Sequence, residues 1–251
     1  MLKKWSGKVW IGDGLAYYLG RTGDSKIHRH CALQVTMAYD GVVSLFDENG
    51  QETIVSGAVI PANVPHRIQA HGEQKIAFIY MEPDSSHGRA LMAQFPHDGS
   101  SLYLLSAETV SACLDELDLL EKNSQSKNFD TSGMVSILTC TSNEILPLDP
   151  RVQKTMAYIR NHLDEVDSLE PLAEMLAISP RYLRRLFEQQ AGMSIQRFRL
   201  WVKLRTALDR IAAGLNLTDA AHEAGFTDSA HFSRTFRAMF GIAPSDLLRE
   251  I

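Results

Sequence analysis

The spacing of apolar positions along the chain changes character twice. Up to about residue 100, apolar residues come in short clusters rich in branched and aromatic side chains: Leu15–Leu19, Leu33–Tyr39, Val42–Phe46 and Ile76–Tyr80. Such segments read as β-strands. Turn signals separate them: Gly12-Asp13-Gly14, Asp40-Gly41, Glu48-Asn49-Gly50 and Ser56-Gly57. Many short strands with frequent turns predict an antiparallel sandwich or barrel.

From about residue 101 the step lengthens to three and four. Leu105, Val110, Ala112, Cys113, Leu114, Leu117 and Leu120 alternate with Asp115, Glu116, Asp118 and Glu121. That is an amphipathic helix. A second helical stretch, Met134 to Cys140, carries Val135, Ile137 and Leu138. These helices either pack on the strands or use the Leu105–Leu120 face as a seam between two copies. Leu146-Pro-Leu-Asp-Pro150 then reads as an interdomain linker.

Beyond it every strong pattern is helical, and one pattern occurs twice. Ala173-x-x-x-Ala177-Ile178 matches Ala221-x-x-x-Gly225-Phe226. With one residue inserted, Leu183-x-Arg185-x-Phe187-x-x-x-x-Gly192 matches Phe232-x-Arg234-x-Phe236-x-x-x-x-Gly241. Ser168, Ser179 and Asp228 stand as N-caps, with Pro180 in a first turn. The first copy buries Leu183, Leu186 and Phe187 and turns Arg181 and Arg185 outward, flanked by Tyr182 and Arg184. The second buries Phe232, Phe236, Met239 and Phe240 and turns Ala230, Arg234 and Arg237 outward, flanked by His231 and Ser233. Each copy is a helix-turn-helix with a polar outer face. Between them, Ser194 to Ala213 predicts one helix about 20 residues and roughly 30 Å long at 1.5 Å per residue. Successive major-groove windows on one face of DNA are about 34 Å apart, so one chain can present two recognition helices.

Charge supports that division. Residues 1–149 carry 11 Lys+Arg against 18 Asp+Glu, net −7, and residues 150–251 carry 14 against 12, net +2. A polyanion is repelled by the first part and tolerated by the second. No run of 18 apolar residues suits a membrane span, and Met1–Trp5 lack the apolar core of a secretory signal. The three cysteines, Cys31, Cys113 and Cys140, are expected as small buried residues in a reducing compartment.

One polar constellation sits among the strands. His28, His30 and Gln34 follow at i, i+2 and i+6, so a single strand would put them on one face. His66 follows the turn Pro61-Ala-Asn-Val-Pro65. Imidazoles in this number suit a divalent transition metal. The same residues equally suit a hydrogen-bonding pocket for a small organic ligand, or satisfied polar groups in a core. No acid–base pair or activated nucleophile is spaced beside them, so no enzyme is expected.

Two resemblances follow. His28-x-His30-x-x-x-Gln34-(six)-Gly41 with Pro61-x-Asn63-x-x-His66 resembles the two motifs of the cupin β-barrel, in which those positions hold a metal. Gln34 replaces a carboxylate and Asn63 a turn glycine. Residues 151–251 resemble the DNA-binding domain of the AraC/XylS family of transcription regulators. The matching signature is Gly225-Phe226-x-Asp228-x-x-x-Phe232-Ser233-Arg234-x-Phe236-Arg237-x-x-x-Gly241-x-x-Pro244, with Lys203-Leu204-x-x-Ala207 in the connecting helix.

The resemblances imply an α+β two-domain chain: residues 1–146 a cupin-like antiparallel β-barrel with following helices, and residues 151–251 an all-α double helix-turn-helix. The first would bind an effector and dimerise, with a helical dimer element at about 104–142. DNA-contacting roles fall by resemblance on Arg181, Tyr182, Arg184, Arg185, Lys203, Ser229, Ala230, His231, Ser233 and Arg234. Effector or metal binding (zinc, nickel, manganese or iron) falls on His28, His30, Gln34 and His66. The implied function is a cytoplasmic, nucleoid-associated regulator, an activator by family habit. Its implied partners are double-stranded promoter or operator DNA, a small effector, a second copy of itself and RNA polymerase. The alternative is a metal-dependent cupin enzyme carrying a DNA-targeting domain.

Overall fold

The structure is a computed structural model that describes residues 5–12, 14–95, 102–123, 132–139, 147–163 and 168–247. It divides into two compact units, one of residues 1–146 with 237–251, the other of residues 147–236. Cys140, Leu146 and Asp13 lie outside the described residues.

The first unit opens with strands β1 (Ser6–Gly12), β2 (Leu15–Arg21), β3 (Leu33–Ala38), β4 (Val43–Phe46), β5 (Glu52–Val55), β6 (Gly57–Ile60), β7 (Arg67–Ala70) and β8 (Lys75–Met81). Helix α1 (Ser86–Gln94), strand β9 (Tyr103–Leu104) and helices α2 (Ala107–Asn123) and α3 (Ser132–Leu138) follow. Two sheets form, in the orders β1-β2-β8-β3-β6-β9 and β5-β4-β7, and all pairings are antiparallel. The described pairings do not close into a ring. Residues Leu15–Leu19, Leu33–Ala38, Val43–Phe46 and Ile76–Tyr80 are strands as their composition predicts. Strands β1, β5, β6, β7 and β9 are further strands that the apolar pattern does not announce.

The central strands are buried on both sides because both sides are covered. Leu33, Val35 and Met37 of β3 and Ala77, Ile79 and Met81 of β8 face one core, shared with Val110, Cys113, Leu114 and Leu117 of α2 and Met134, Val135 and Leu138 of α3. Ile76 and Phe78 face a second core with Val43, Leu45, Ile60 and Ile68. The α2 stripe expected as a seam between copies is thus packed on the sheet. Leu119, 53% exposed, points elsewhere. Cys31 and Cys113 are buried thiols, as expected.

The second unit holds α4 (Pro150–Asn161), α5 (Glu170–Met175), α6 (Pro180–Ala191), α7 (Ile195–Ala212), α8 (Leu217–Glu223) and the start of α9 (Ser229–Phe240); α10 (Pro244–Leu247) belongs to the first unit. Ser179 caps α6, Ser194 caps α7, and the Asp228 carboxylate accepts from His231 N at the start of α9. The cap of α5 differs from expectation. Leu169 is the boundary residue, and the Ser168 hydroxyl accepts from Glu170 N instead.

The two repeats share their turns as well as their residues. Ile178 N donates to Ala173 O and Ala177 N to Glu174 O; Phe226 N donates to Ala221 O and Gly225 N to His222 O. Both are the same helix-ending motif, and it demands a left-handed residue. Gly225 takes φ +75° freely, whereas Ala177 takes φ +53° with a Cβ in the way. Ala177→Gly is therefore expected to raise the stability of the second unit by about 1 kcal/mol, and Gly225→Ala to lower it by a similar amount. Chemical denaturation followed through the helical signal checks both.

Candidate functional site

The polar constellation of the first unit closes up in three dimensions, by a route other than a single strand. Only Gln34 lies in β3. His30 lies outside any strand, and His28 forms an isolated bridge with His66, their backbones exchanging bonds of 2.9 and 2.8 Å. The bends at Cys31 and Ala32 break the expected period of two, so convergence comes from pairing the two histidine segments. Asn63 sits at φ +65°, the left-handed turn position where the cupin motif has glycine. Asparagine tolerates this region better than other side chains. Its backbone N–H reaches His30 O at 2.7 Å, which ties the turn to the triad.

His28, His30, Gln34 and His66 are 5%, 1%, 0% and 2% exposed. Burial and the neighbouring His30 push His28 down to about 3, and burial pushes His66 well below the ordinary histidine value. Both rings are therefore neutral near pH 7, with one N–H each.

Backbone carbonyls decide which nitrogen carries it. His28 Nδ1 lies 2.8 Å from Lys26 O, His30 Nδ1 2.9 Å from Ala32 O and His66 Nδ1 2.9 Å from Val64 O. A carbonyl oxygen only accepts, so each Nδ1 donates, and in a neutral ring the opposite Nε2 is then an acceptor. One ring nitrogen of each histidine lies within 4.8 Å of those of the others, and the ring centroids are 4.2 to 5.9 Å apart. Gln34 Oε1 stands 2.8 Å from His30 Nε2 and 3.3 Å from His66 Nε2, and its Nε2 donates to Thr36 Oγ1 at 2.8 Å.

Acceptors meeting acceptors in a buried place are the donor set of a cation. An N–H fixed on a backbone carbonyl, with the opposite nitrogen turned to the ion, is how ligating histidines are held. The residues present fit a transition ion: imidazole nitrogens with one amide oxygen suit zinc, nickel, iron or copper rather than calcium or magnesium. A cation-free site satisfies the same contacts with the Gln34 amide turned end for end, its NH₂ donating to the imidazoles.

The second unit displays its predicted residues as follows. On α6, Arg181, Arg184 and Arg185 are exposed and Tyr182 is half-buried. The Arg151 and Arg185 guanidinium groups lie 5.5 and 5.4 Å from the Tyr182 ring centroid. On α9, Ala230 and Arg234 are exposed, and Ser229, His231 and Ser233 are half-buried around them. Arg234 lies close enough to help hold Asp228 below the usual carboxylate range, behind the main cause, the His231 backbone N–H. His231 Nδ1 meets Thr227 Oγ1 at 3.1 Å, and its ring stands edge-on to Phe226. Lys203 is engaged inside the fold. Its Nζ donates to Gly225 O at 2.7 Å, tying α7 to the turn between α8 and α9.

Phe240 departs from the sequence expectation. Instead of filling the helical core, it is half-buried in the first unit, 6.0 Å from His30 and 5.6 Å from Tyr80 by ring centroids. Tyr80, absent from the predicted site, stands edge-on to His30 at 5.2 Å, and burial raises its phenol. Its place in β8, two residues from Phe78 on the same face, was the available signal.

Comparison with known proteins agrees with this geometry. Residues 172–250 match the helix-turn-helix domain family. The HTH-type transcriptional activator RhaS of Enterobacter sp. (strain 638) is 33% identical over 100 residues, 39% of this chain and 36% of that protein. The XylDLEGF operon transcriptional activator of Pseudomonas putida is 33% identical over 106 residues, 41% of this chain and 33% of its own. The chain thus spans about a third of the length of these curated relatives. ToxT from Vibrio cholerae O395 is similar in fold, with TM-score 0.65, 12% identity, and 94% of this chain and 98% of that one covered. ToxT from V. cholerae strain SCE256, solved with unsaturated fatty acid bound, gives TM-score 0.63 at 12% identity, covering 100% and 98%. Residues 172–250 are accordingly a helix-turn-helix domain of the kind these activators carry, and the chain as a whole has the fold of ToxT.

Proposed function

We propose that this chain is a sequence-specific DNA-binding transcription regulator of the AraC/XylS type, an activator, controlled by a small effector or metal held in its amino-terminal unit. The observation that carries the reading is the helix-turn-helix match over residues 172–250, where two related units turn different polar faces outward. Named activators among the relatives support the direction of control. A promoter or operator, a second copy of the chain and RNA polymerase are the partners this reading requires.

The two faces have different chemistry. Arg181, Arg184 and Arg185 on α6 offer forked donors that fit guanine O6 and N7, each good pair worth ~1–3 kcal/mol of discrimination. Among the described residues neither Arg185 nor Arg234 forms an ion pair within 4.0 Å, although Arg234 is near enough to act on the Asp228 carboxylate. On α9, Ala230 offers a methyl contact to thymine, and Ser229, Ser233 and His231 offer single hydrogen bonds around Arg234. Tyr182 offers its ring 5.4 Å from the Arg185 guanidinium. Lys203 acts through the fold by holding the second turn. The first copy is the stronger reader and the second the weaker, so an asymmetric half-site is expected.

In the first unit the triad favours a divalent transition ion over an organic effector, because three buried histidines bring ring nitrogens within 4.8 Å of one another, a donor set that suits such an ion. Bound there, the ion would supply positive charge and a fixed geometry for His28, His30, His66 and Gln34. The fatty acid on ToxT marks the alternative class of effector.

DNA selected from a random pool by the full-length protein is expected to bind Arg185→Ala at least tenfold more weakly and Arg234→Ala several-fold more weakly in gel-shift titration. Undiminished binding by both contradicts the base-reading assignment. Chelator-treated protein is expected to take up one Co(II) or Zn(II) per chain, with His66→Ala losing it and Gln34→Glu, which restores a charged ligand, binding at least tenfold tighter. Metal-free protein after reconstitution leaves the organic-effector form of the reading.

A further inference from the structure

The triad has a neighbour that neither the metal chemistry nor the DNA-reading faces require. The last turn of α9 and the residues after it belong to the first compact unit, although α9 starts in the second. Within the first unit, Lys26 N donates to Gly241 O at 3.0 Å, and Lys26 O accepts from His28 Nδ1 at 2.8 Å. One residue, Lys26, is therefore bonded through its carbonyl to a triad ring and through its amide to the end of α9.

The approach is close. A Cβ at Gly241 would lie 2.4 Å from Lys26 O and 2.7 Å from His28 Nδ1, so only glycine fits. Gly241 also has φ +71° and donates to Arg237 O, closing the helix as Gly192 closes α6. The same residue ends the helix and seats it against His28. Beside it, Phe240 meets His30 and Tyr80, and Leu247 of α10 packs on the second apolar core. Residues 240–247 thus meet the rest of the first unit at three points, two of them at the triad.

We propose that Phe240 and Gly241 are the element through which occupation of the triad is communicated to α9. This rests on the regulator reading above and adds the route. His28, held as one ligand of an ion, would keep its ring plane fixed and would donate more strongly from Nδ1–H to Lys26 O. Lys26 would then be held in the position from which its N–H donates to Gly241 O. His30, as a second ligand, would hold fixed the ring that Phe240 packs against. The triad and the last turn of α9 stabilise each other, and by linkage whatever holds α9 in place, DNA included, must in turn strengthen metal binding.

Hydrogen exchange on the full-length chain tests this without knowledge of the operator. Chelator-treated protein is compared with and without stoichiometric Zn(II). The expected result is slowing of at least tenfold in peptides covering residues 24–34, 64–68 and 237–247 together. In Phe240→Ala, one Zn(II) per chain should still bind and still protect 24–34 and 64–68, with the protection of 237–247 reduced at least fivefold. Zinc bound by the wild type with no change at 237–247 overturns the proposal while leaving the DNA-binding reading intact. A protein that binds no zinc, cobalt or nickel also overturns it, and the gel-shift series judges the regulator reading separately.

Discussion

Three backbone carbonyls set the chemistry of the amino-terminal unit. Lys26 O, Ala32 O and Val64 O each take the Nδ1–H of one histidine and so choose its tautomer. Leaving one buried partner unmade costs about 1–3 kcal/mol. With all three made, the rings are held, and the Nε2 atoms of His30 and His66 face Gln34 Oε1. The surrounding fold serves this arrangement. The bridge between His28 and His66 brings two segments together, the left-handed Asn63 turns one of them, and β3 supplies Gln34 from its inward face. A cluster of acceptors enclosed by apolar walls is costly to keep for packing alone, and it gains a rationale when a cation joins it.

The carboxy-terminal repeat obeys a different constraint, that of ending a helix in three residues. Both copies use the same pair of backbone bonds and the same left-handed residue, although one copy does so with alanine and carries the strain. Keeping the turn while changing the outward residues is what a reading head needs, since turn geometry fixes the angle of the second helix and its surface supplies the specificity. Lys203, bonded to Gly225 O, adds a strut from the connecting helix to the second turn.

Much of this was legible in the residues because the periods are strong. The α7 helix, Ile195–Ala212, ends within a residue of its expected limits because Ser194 caps it and Gly214 follows its end. The double helix-turn-helix shows as a repeat, and the His-x-His spacing marks the metal-type cluster. Other features depend on contacts distant in sequence. His28 and His30 do not share β3, since Cys31 and Ala32 bend the chain. Edge strands such as β5, with Glu52 and Ile54 exposed, carry no apolar signal. Phe240 continues a perfect helical stripe, so periodicity alone puts it in the helical core. Only the tertiary structure shows that the stripe ends on His30.

The central claim is that the buried triad governs DNA binding by the helical repeat. The most direct measurement is the dissociation constant for a selected DNA fragment with and without one equivalent of Zn(II) at fixed ionic strength. The expected result is a change of at least tenfold, about 1.4 kcal/mol of coupling, abolished in His66→Ala. Equal affinity in both conditions, with zinc demonstrably bound, would contradict it.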